Sequence, residues 1–248
     1  MSLSKVKEAD CLPKEKAACG ECGQNGRRES DGSPEELLSV RERASAIVSR
    51  LEEVYPEAKC SLSYSEPYQL LIATRLSAQC TDARVNTVTP ELFARFPSLE
   101  ALADAELSVV EEIIKPCGLF RTKAKSIVGL CRELISRYGG EVPDIMEELL
   151  TLPGIGRKTA NLILGDVFGR PAVVCDTHCM RICERLGLST GRDAYKVELR
   201  LREVLPMDRA SDFCHRLVMF GRQTCTARKP VCGSCPLSDL CEKAGSEG

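Results

Sequence analysis

The sequence predicts an all-α protein, and three observations lead there. From about position 36 onward, apolar residues recur at the three-and-four spacing of helices that bury one face. Proline and glycine interrupt that pattern at intervals suited to short connections between helices. No segment alternates as a half-buried strand would, and Ala172-Val173-Val174-Cys175 reads at most as a short buried connector.

Taken in order, residues 1–35 combine Gly, Ser, Asn and charges with almost no large apolar side chain, which predicts a disordered or loosely attached extension. Cys11, Cys19 and Cys22 lie within it, the last two as a C-x-x-C pair with no histidine nearby. The first helix follows Pro34, where Leu37, Leu38, Val40, Ala44, Ile47, Val48 and Leu51 recur at helical spacing. Pro67 suits the first turn of a second helix, with Ser65 as its cap. Further helices are expected near 82–95, 107–115, 121–138, 144–151, 157–168, 178–187, 193–204 and 209–221. Pro97, Pro116, Gly139-Gly140, Pro143, Gly169, Pro171 and Pro206 separate them.

Composition excludes several classes. With 43% hydrophobic and 28% charged residues, the 248-residue chain is ordinary for a globular protein. No run approaches the roughly 20 apolar residues of a membrane span. The first residues, MSLSKVKEADCLPKEK, lack the apolar core of a secretory signal and are too acidic for a mitochondrial presequence, so a cytoplasmic protein is expected. The net charge of −2 argues against a nucleic-acid partner only until it is divided along the chain: residues 151–248 carry 15 Lys and Arg against 11 Asp and Glu. Phosphate binding needs a local basic surface, not a basic protein.

The string Leu152-Pro153-Gly154-Ile155-Gly156 lies between two helical stretches. Two glycines around one apolar residue let a backbone approach a partner closely while Ile155 plugs back between the helices. The amides of Gly154 and Gly156, together with Arg157, would then meet a phosphate at a helix N-terminus. A tight helical hairpin with no ligand is the alternative. Lys158 follows at once, and Asp176 comes eighteen residues later in Asp176-Thr177-His178. An amine can attack a sugar carbon and form a Schiff base, and a carboxylate can move its protons and stabilise positive charge on the sugar. From spacing alone the reading ahead makes Lys158 a phosphate contact and Asp176 a helix N-cap, which its place before a helical run suits.

Fifteen cysteines is a high and odd number. Cys117, Cys131, Cys175, Cys179 and Cys183 stand among apolar residues and are expected to pack as small hydrophobes. The C-terminal group differs: Cys225, Cys232, Cys235 and Cys241 form C-x6-C-x2-C-x5-C, with Pro230, Gly233 and Pro236 bending the chain. Four thiolates at this spacing suit zinc or a [4Fe–4S] cluster, and spacing alone leaves zinc ahead because four-cysteine zinc loops are numerous.

LPGIGRKTAN, the CDTH that follows it and the C-terminal cysteines resemble the endonuclease III branch of the helix–hairpin–helix (HhH-GPD) DNA glycosylase superfamily. Leu76-Ser77-Ala78-Gln79-Cys80-Thr81-Asp82 and Gly118-Leu119-Phe120 are similar to that branch as well, and the likeness covers about residues 36–244. The resemblance implies a bifunctional DNA glycosylase and AP lyase that removes oxidised pyrimidines, with Lys158 as nucleophile and Asp176 as its activator. It implies that Gln79 and Leu119 enter the base stack where a damaged nucleotide flips out. It chooses a [4Fe–4S] cluster for the four cysteines. Arg222, Arg228 and Lys229 around that loop then become DNA contacts. His178 is expected to serve packing or hydrogen bonding, and His215 is given no role.

The family fold has two helical lobes with duplex DNA, carrying damaged bases or abasic sites, in the cleft between them. By motif position a six-helix lobe would span 60–170, and a cluster lobe would join 36–59 to 171–248. A monomer is expected. Three other readings compete: a mismatch adenine glycosylase, which typically lacks the lysine and carries a further domain; a mismatch thymine or uracil glycosylase; and a non-catalytic iron–sulfur DNA-binding module. Lys158 and Asp176 together disfavour the last, because a pure binder needs neither.

Overall fold

The computed structural model describes residues 34–244, so the reading of residues 1–33, with Cys11, Cys19 and Cys22, lies outside the described residues. Among those described there are helices and no strands. α1 (Pro34–Val54) buries Ala44, Ile47, Val48 and Leu51 completely, the stripe its spacing dictates. α2 (Pro67–Ser77) begins on a proline, but its cap is Glu66. Gln69 Oε1 folds back to accept from the Ser65 and Glu66 amides at 2.9 and 3.4 Å, so Ser65 stands one residue too early to cap. α3 (Asp82–Arg95) is capped by the Thr81 hydroxyl. The five-residue α4 (Leu99–Ala103), capped by Ser98, is too short for its periodicity to be seen in the sequence.

α5 (Leu107–Ile114) runs into a 3-10 turn at Lys115–Cys117, and α6 (Phe120–Tyr138) stops at Gly139, whose φ of 62° closes the helix. α7 is only Met146–Leu149, half the expected 144–151, because the chain then turns into the hairpin. α8 (Arg157–Asp166) ends two residues before the expected 168. Gly169 takes a φ of 60° there, and the Arg170 amide bonds back to Leu164 O at 2.9 Å. α9 (Thr177–Arg185), α10 (Ala194–Val204) and α11 (Ala210–Gln223) follow within a residue or two of expectation. No helix of the described residues is long and apolar enough to cross a membrane.

The helices pack in two neighbourhoods. α6 receives α4 and α5, while α2 lies against α3, α6 and α8; α11 receives α1 and α9, and α1 also meets α10. α8 touches both α2 and α11 and so stands between the two groups. One continuous apolar core runs through both. Ion pairs close the second group, with Arg216 of α11 meeting Glu52 of α1 at 3.1 Å and Arg209 pairing with the same carboxylate. That pairing, led by the hydrogen bond from Arg209, holds Glu52 below the usual carboxylate range. Arg50 donates to Pro236 O at 2.8 Å and ties α1 to the C-terminal loop.

Candidate active site

The hairpin folds as its glycines require. Gly154 has a φ of +77°, and a Cβ there would lie 2.6 Å from Arg75 Nε. Ile155 is buried and its amide donates to Leu152 O at 3.1 Å, while Gly154 and Gly156 are exposed. Gly156 caps α8 with no side chain, and a Cβ there would meet nothing within 4 Å. The first-turn amides of α8 have no intrahelical partner, the positive end of the helix dipole lies behind them, and the space at Gly156 is open.

Arg157, expected at the phosphate, is held from the other side. Its guanidinium makes two hydrogen bonds to Glu198 of α10, at 2.6 and 2.9 Å, and stacks 4.5 Å from the ring centre of Tyr195. Glu198 is only 2% exposed and also accepts from Arg202 at 3.1 Å. Burial pushes its carboxyl up, and the hydrogen bonds from Arg157 and Arg202 outweigh that, leaving it below the usual range. This clasp fixes the N-terminus of α8 against α10.

Lys158, one residue on, is exposed in the cleft between the two helix groups. Asp176, His178 and Thr74 line the same cleft, as do Ser77, Asp82, Met219 and Arg222. Asp176 caps α9: its Oδ1 accepts from the Cys179 amide at 2.7 Å. The expected nucleophile and its carboxylate thus line one cleft. His178 shares it too. Burial lowers its pKa against the pull of Asp176, and the nearby Arg181, Arg222 and Lys158 lower it further, so the ring is neutral at pH 7. Arg181 Nη2 then donates to its Nδ1 at 3.2 Å, and His178 packs against the backbone of Gly221, which has no Cβ to block it.

His215 acquires a partner that its sequence setting did not show. Its Nε2 lies 2.7 Å from Asp166 Oδ1, both side chains nearly buried, and His215 itself lines the Lys158 cleft. The other oxygen of Asp166 is buried with no hydrogen-bond partner. The pairing is a tertiary contact between α8 and α11 that one-dimensional spacing does not carry.

Gln79 and Leu119 are the two non-glycine residues among those described with positive φ, at 56° and 49°. Such backbone is costly for a side-chain-bearing residue and persists where the surroundings impose it. Leu119, at 59% exposed, also leaves a large apolar side chain in water. Beside Gln79, Asp82 accepts from Ser61 Oγ at 2.5 Å and from Arg222 Nη2 at 3.2 Å, so Arg222 bridges from α11 to the start of α3. Arg228 and Lys229 are exposed on the C-terminal loop.

Cys225, Cys232, Cys235 and Cys241 line one small, mostly apolar pocket with Leu186, Phe220, Pro230 and Val231. No three His, Cys, Asp or Glu side chains among the described residues are grouped to hold a single metal ion. Zinc would need four sulfurs at ~2.3 Å from one point, whereas a four-iron cluster takes one thiolate at each corner of a wider body. The donor set of four soft thiolates around an apolar pocket fits such a cluster. Arg185 braces it, reaching Cys225 Sγ at 3.4 Å, Thr226 O at 2.8 Å and Ala227 O at 3.2 Å. Cys117, Cys131, Cys179 and Cys183 are buried as small hydrophobes, and Cys175 is partly so.

Comparison with known proteins agrees with this arrangement. Residues 72–207 match the HhH-GPD superfamily base excision DNA repair proteins. Residues 225–241, which begin and end on the outer cysteines, match the iron–sulfur binding domain of endonuclease III. The chain is 48% identical to endonuclease III of Synechocystis sp. over 209 residues, covering 84% of this chain and 95% of that one. It is 42% identical to endonuclease III of Escherichia coli over 196 residues, covering 79% and 93%. Among solved structures, a trapped endonuclease III–DNA covalent intermediate superposes with a TM-score of 0.77 at 40% identity, covering 85% of this chain and 97% of the other. A thermostable thymine-DNA glycosylase superposes at 0.73 with 26% identity, covering 84% and 98%. The chain belongs to the HhH-GPD superfamily of base excision DNA repair proteins, in its endonuclease III branch.

Proposed function

We propose that this protein removes oxidised pyrimidines from duplex DNA with Lys158 as nucleophile and Asp176 as its proton acceptor. The protein is a bifunctional DNA glycosylase and AP lyase of base excision repair, and it carries a [4Fe–4S] cluster. One observation carries the assignment of residues: Lys158 and Asp176 line the same cleft, one at the N-terminus of α8 beyond the hairpin and the other capping α9. The amine attacks C1′, and the base leaves with the electrons of the glycosidic bond. Asp176 takes the proton released from nitrogen, and ring opening gives a Schiff base. Loss of a proton from C2′ then expels the 3′ phosphate by β-elimination.

Gln79 and Leu119 fill the space the flipped nucleotide leaves in the stack, a reading supported by their imposed backbone and by the exposure of Leu119. Gly154, Ile155 and Gly156 present α8 to a phosphate, while Arg157 is oriented by Glu198 beside that site. Arg222, which lines the Lys158 cleft, and the exposed Arg228 and Lys229 supply positive charge for the DNA backbone. Cys225, Cys232, Cys235 and Cys241 hold the cluster, which when bound cross-links their loop into a stiff platform.

The lobes we assign are 60–170 and 36–59 with 171–248, supported by the two helix neighbourhoods on either side of α8. A cytoplasmic enzyme, on the nucleoid in a bacterium, is supported by the bacterial origin of the relatives. Borohydride trapping on an abasic duplex tests the chemistry. The wild type is expected to form a covalent adduct, and Lys158→Gln is expected to bind the duplex and form none. An adduct formed by that variant at the wild-type rate would remove Lys158 from the role.

A further inference from the structure

Lys123 is fully buried one turn into α6, where an apolar residue would be the ordinary occupant. Its ammonium donates to two backbone carbonyls, Leu76 O at 2.8 Å and Cys117 O at 2.9 Å. Leu76 stands three residues before Gln79, at the C-terminal end of α2. Cys117 stands two residues before Leu119, at the end of the 3-10 turn. One cation therefore joins the roots of both loops that carry a left-handed non-glycine residue.

The chemistry suits the place. Leu76 O is among the last carbonyls of its helix, where the chain leaves acceptors unpaired and the helix dipole favours a positive charge. Cys117 O precedes Gly118 and Leu119, whose φ values of 69° and 49° interrupt regular pairing. Burial depresses the Lys123 ammonium, while Cys117 and Cys80 favour its charge and Arg75 opposes it. A lysine kept here against that burial penalty has a use that a leucine would not serve.

We propose that Lys123 is a positioning residue for base extraction, tying the Gln79 and Leu119 loops into one rigid wedge that enters the DNA as a unit. The inference rests on the wedge reading of those two residues. Without the tether each loop relaxes separately, and the two side chains no longer arrive in register when the nucleotide flips. Cleavage of a site that has already lost its base needs little of this, because no base remains to be extracted.

The test compares single-turnover rates of the whole protein on two duplexes, one containing a single thymine glycol and one with a pre-formed abasic site at the same position. The variants are Gln79→Ala, Leu119→Ala, Lys123→Met, Lys123→Gln and the double Lys123→Met/Leu119→Ala, each with its melting temperature. Lys123→Met is expected to slow thymine glycol release by about tenfold or more while slowing abasic cleavage by less than about threefold. Lys123→Gln, which keeps two N–H donors, should recover part of the loss. The double variant should lose far less than the product of the single losses, as residues acting in one unit do. If the two alanine variants discriminate between the substrates but folded Lys123→Met does not, or if its loss simply multiplies with that of Leu119→Ala, the tether is wrong and the wedge stands. If the alanine variants themselves lose equally on both substrates, the wedge reading fails and takes the tether with it. Should Lys123→Met not fold, Lys123→Gln carries the same comparison, and equal losses on both duplexes from it overturn the proposal.

Discussion

Asp176 Oδ1 accepts a 2.7 Å hydrogen bond from the Cys179 amide, so the carboxylate facing the Lys158 cleft is also the cap of α9. The cap is one of the two roles that spacing alone left as alternatives, and the catalytic role we propose falls to the same side chain. The two separate by substitution, because asparagine caps a helix about as well as aspartate but does not take a proton. Asp176→Asn is expected to melt close to the wild type and to turn over ~10²–10⁴-fold more slowly on an abasic duplex. Asp176→Ala should show the same kinetic loss together with about 1 kcal/mol of destabilisation from the missing cap. A large stability loss in the asparagine variant with nearly intact kinetics would make the cap its main role.

The two hairpin glycines call for opposite behaviour. Gly154 needs its +77° backbone and has Arg75 within 2.6 Å of where a Cβ would be. Gly154→Ala should cost roughly 1–3 kcal/mol in thermal or urea denaturation. Gly156 has ordinary φ and nothing within 4 Å of a Cβ, so Gly156→Ala should fold normally. Its methyl would instead stand where a phosphate approaches the α8 amides. Affinity for a duplex carrying a stable abasic analogue should fall, at all flanking sequences alike, with the melting temperature unchanged. Wild-type affinity in Gly156→Ala would place the phosphate elsewhere.

Much of this was legible in one dimension, for identifiable reasons. The α1 stripe, the proline that opens α2 and the glycine at the end of α6 act locally, so spacing reveals them. The hairpin was legible because glycine is demanded by its own backbone. The four cysteines were legible as a site but not as iron or zinc, since both accept four thiolates.

Lys123 and Glu198 were missed although each left a trace. Lys123 lies on one helical face with buried Ile127, Leu130, Cys131 and Leu134, and Glu198 with buried Val197, Leu201 and Val204. A charge in phase with an apolar stripe is a signal for a buried partner. Which partner it finds depends on tertiary packing: for Lys123 two loop carbonyls, for Glu198 two arginines. The His215–Asp166 pair left no such trace, because nothing in either helix alone calls for the other.

Glu198 allows a prediction whose sign follows from its surroundings. Burial opposes its charge, and the hydrogen bonds from Arg157 and Arg202 more than reverse that, so its carboxyl titrates below the ordinary glutamate value of about 4.3. A carboxyl with a lowered folded pKa contributes stability that is fully present above the unfolded value and is lost as pH falls through the folded one. Glu198→Gln should therefore melt below the wild type at pH 7. The difference is roughly 1–3 kcal/mol, the usual cost of losing hydrogen bonds to a charged group. It should sit towards the lower end, because Arg157 and Arg202 are 35% and 32% exposed and water screens them. As pH drops below about 4.3, the wild-type curve should fall towards that of the variant, since protonated Glu198 and glutamine are then alike in charge. Glu52 is lowered too, but it is present in both proteins, so the difference between the curves isolates Glu198. Melting temperatures of the two proteins from pH 7 to pH 3 decide the matter. Parallel curves would mean that the clasp contributes packing alone. Curves that converge, together with slower borohydride trapping by the variant at pH 7, would mean that Glu198 holds the N-terminus of α8, and with it Lys158, in place.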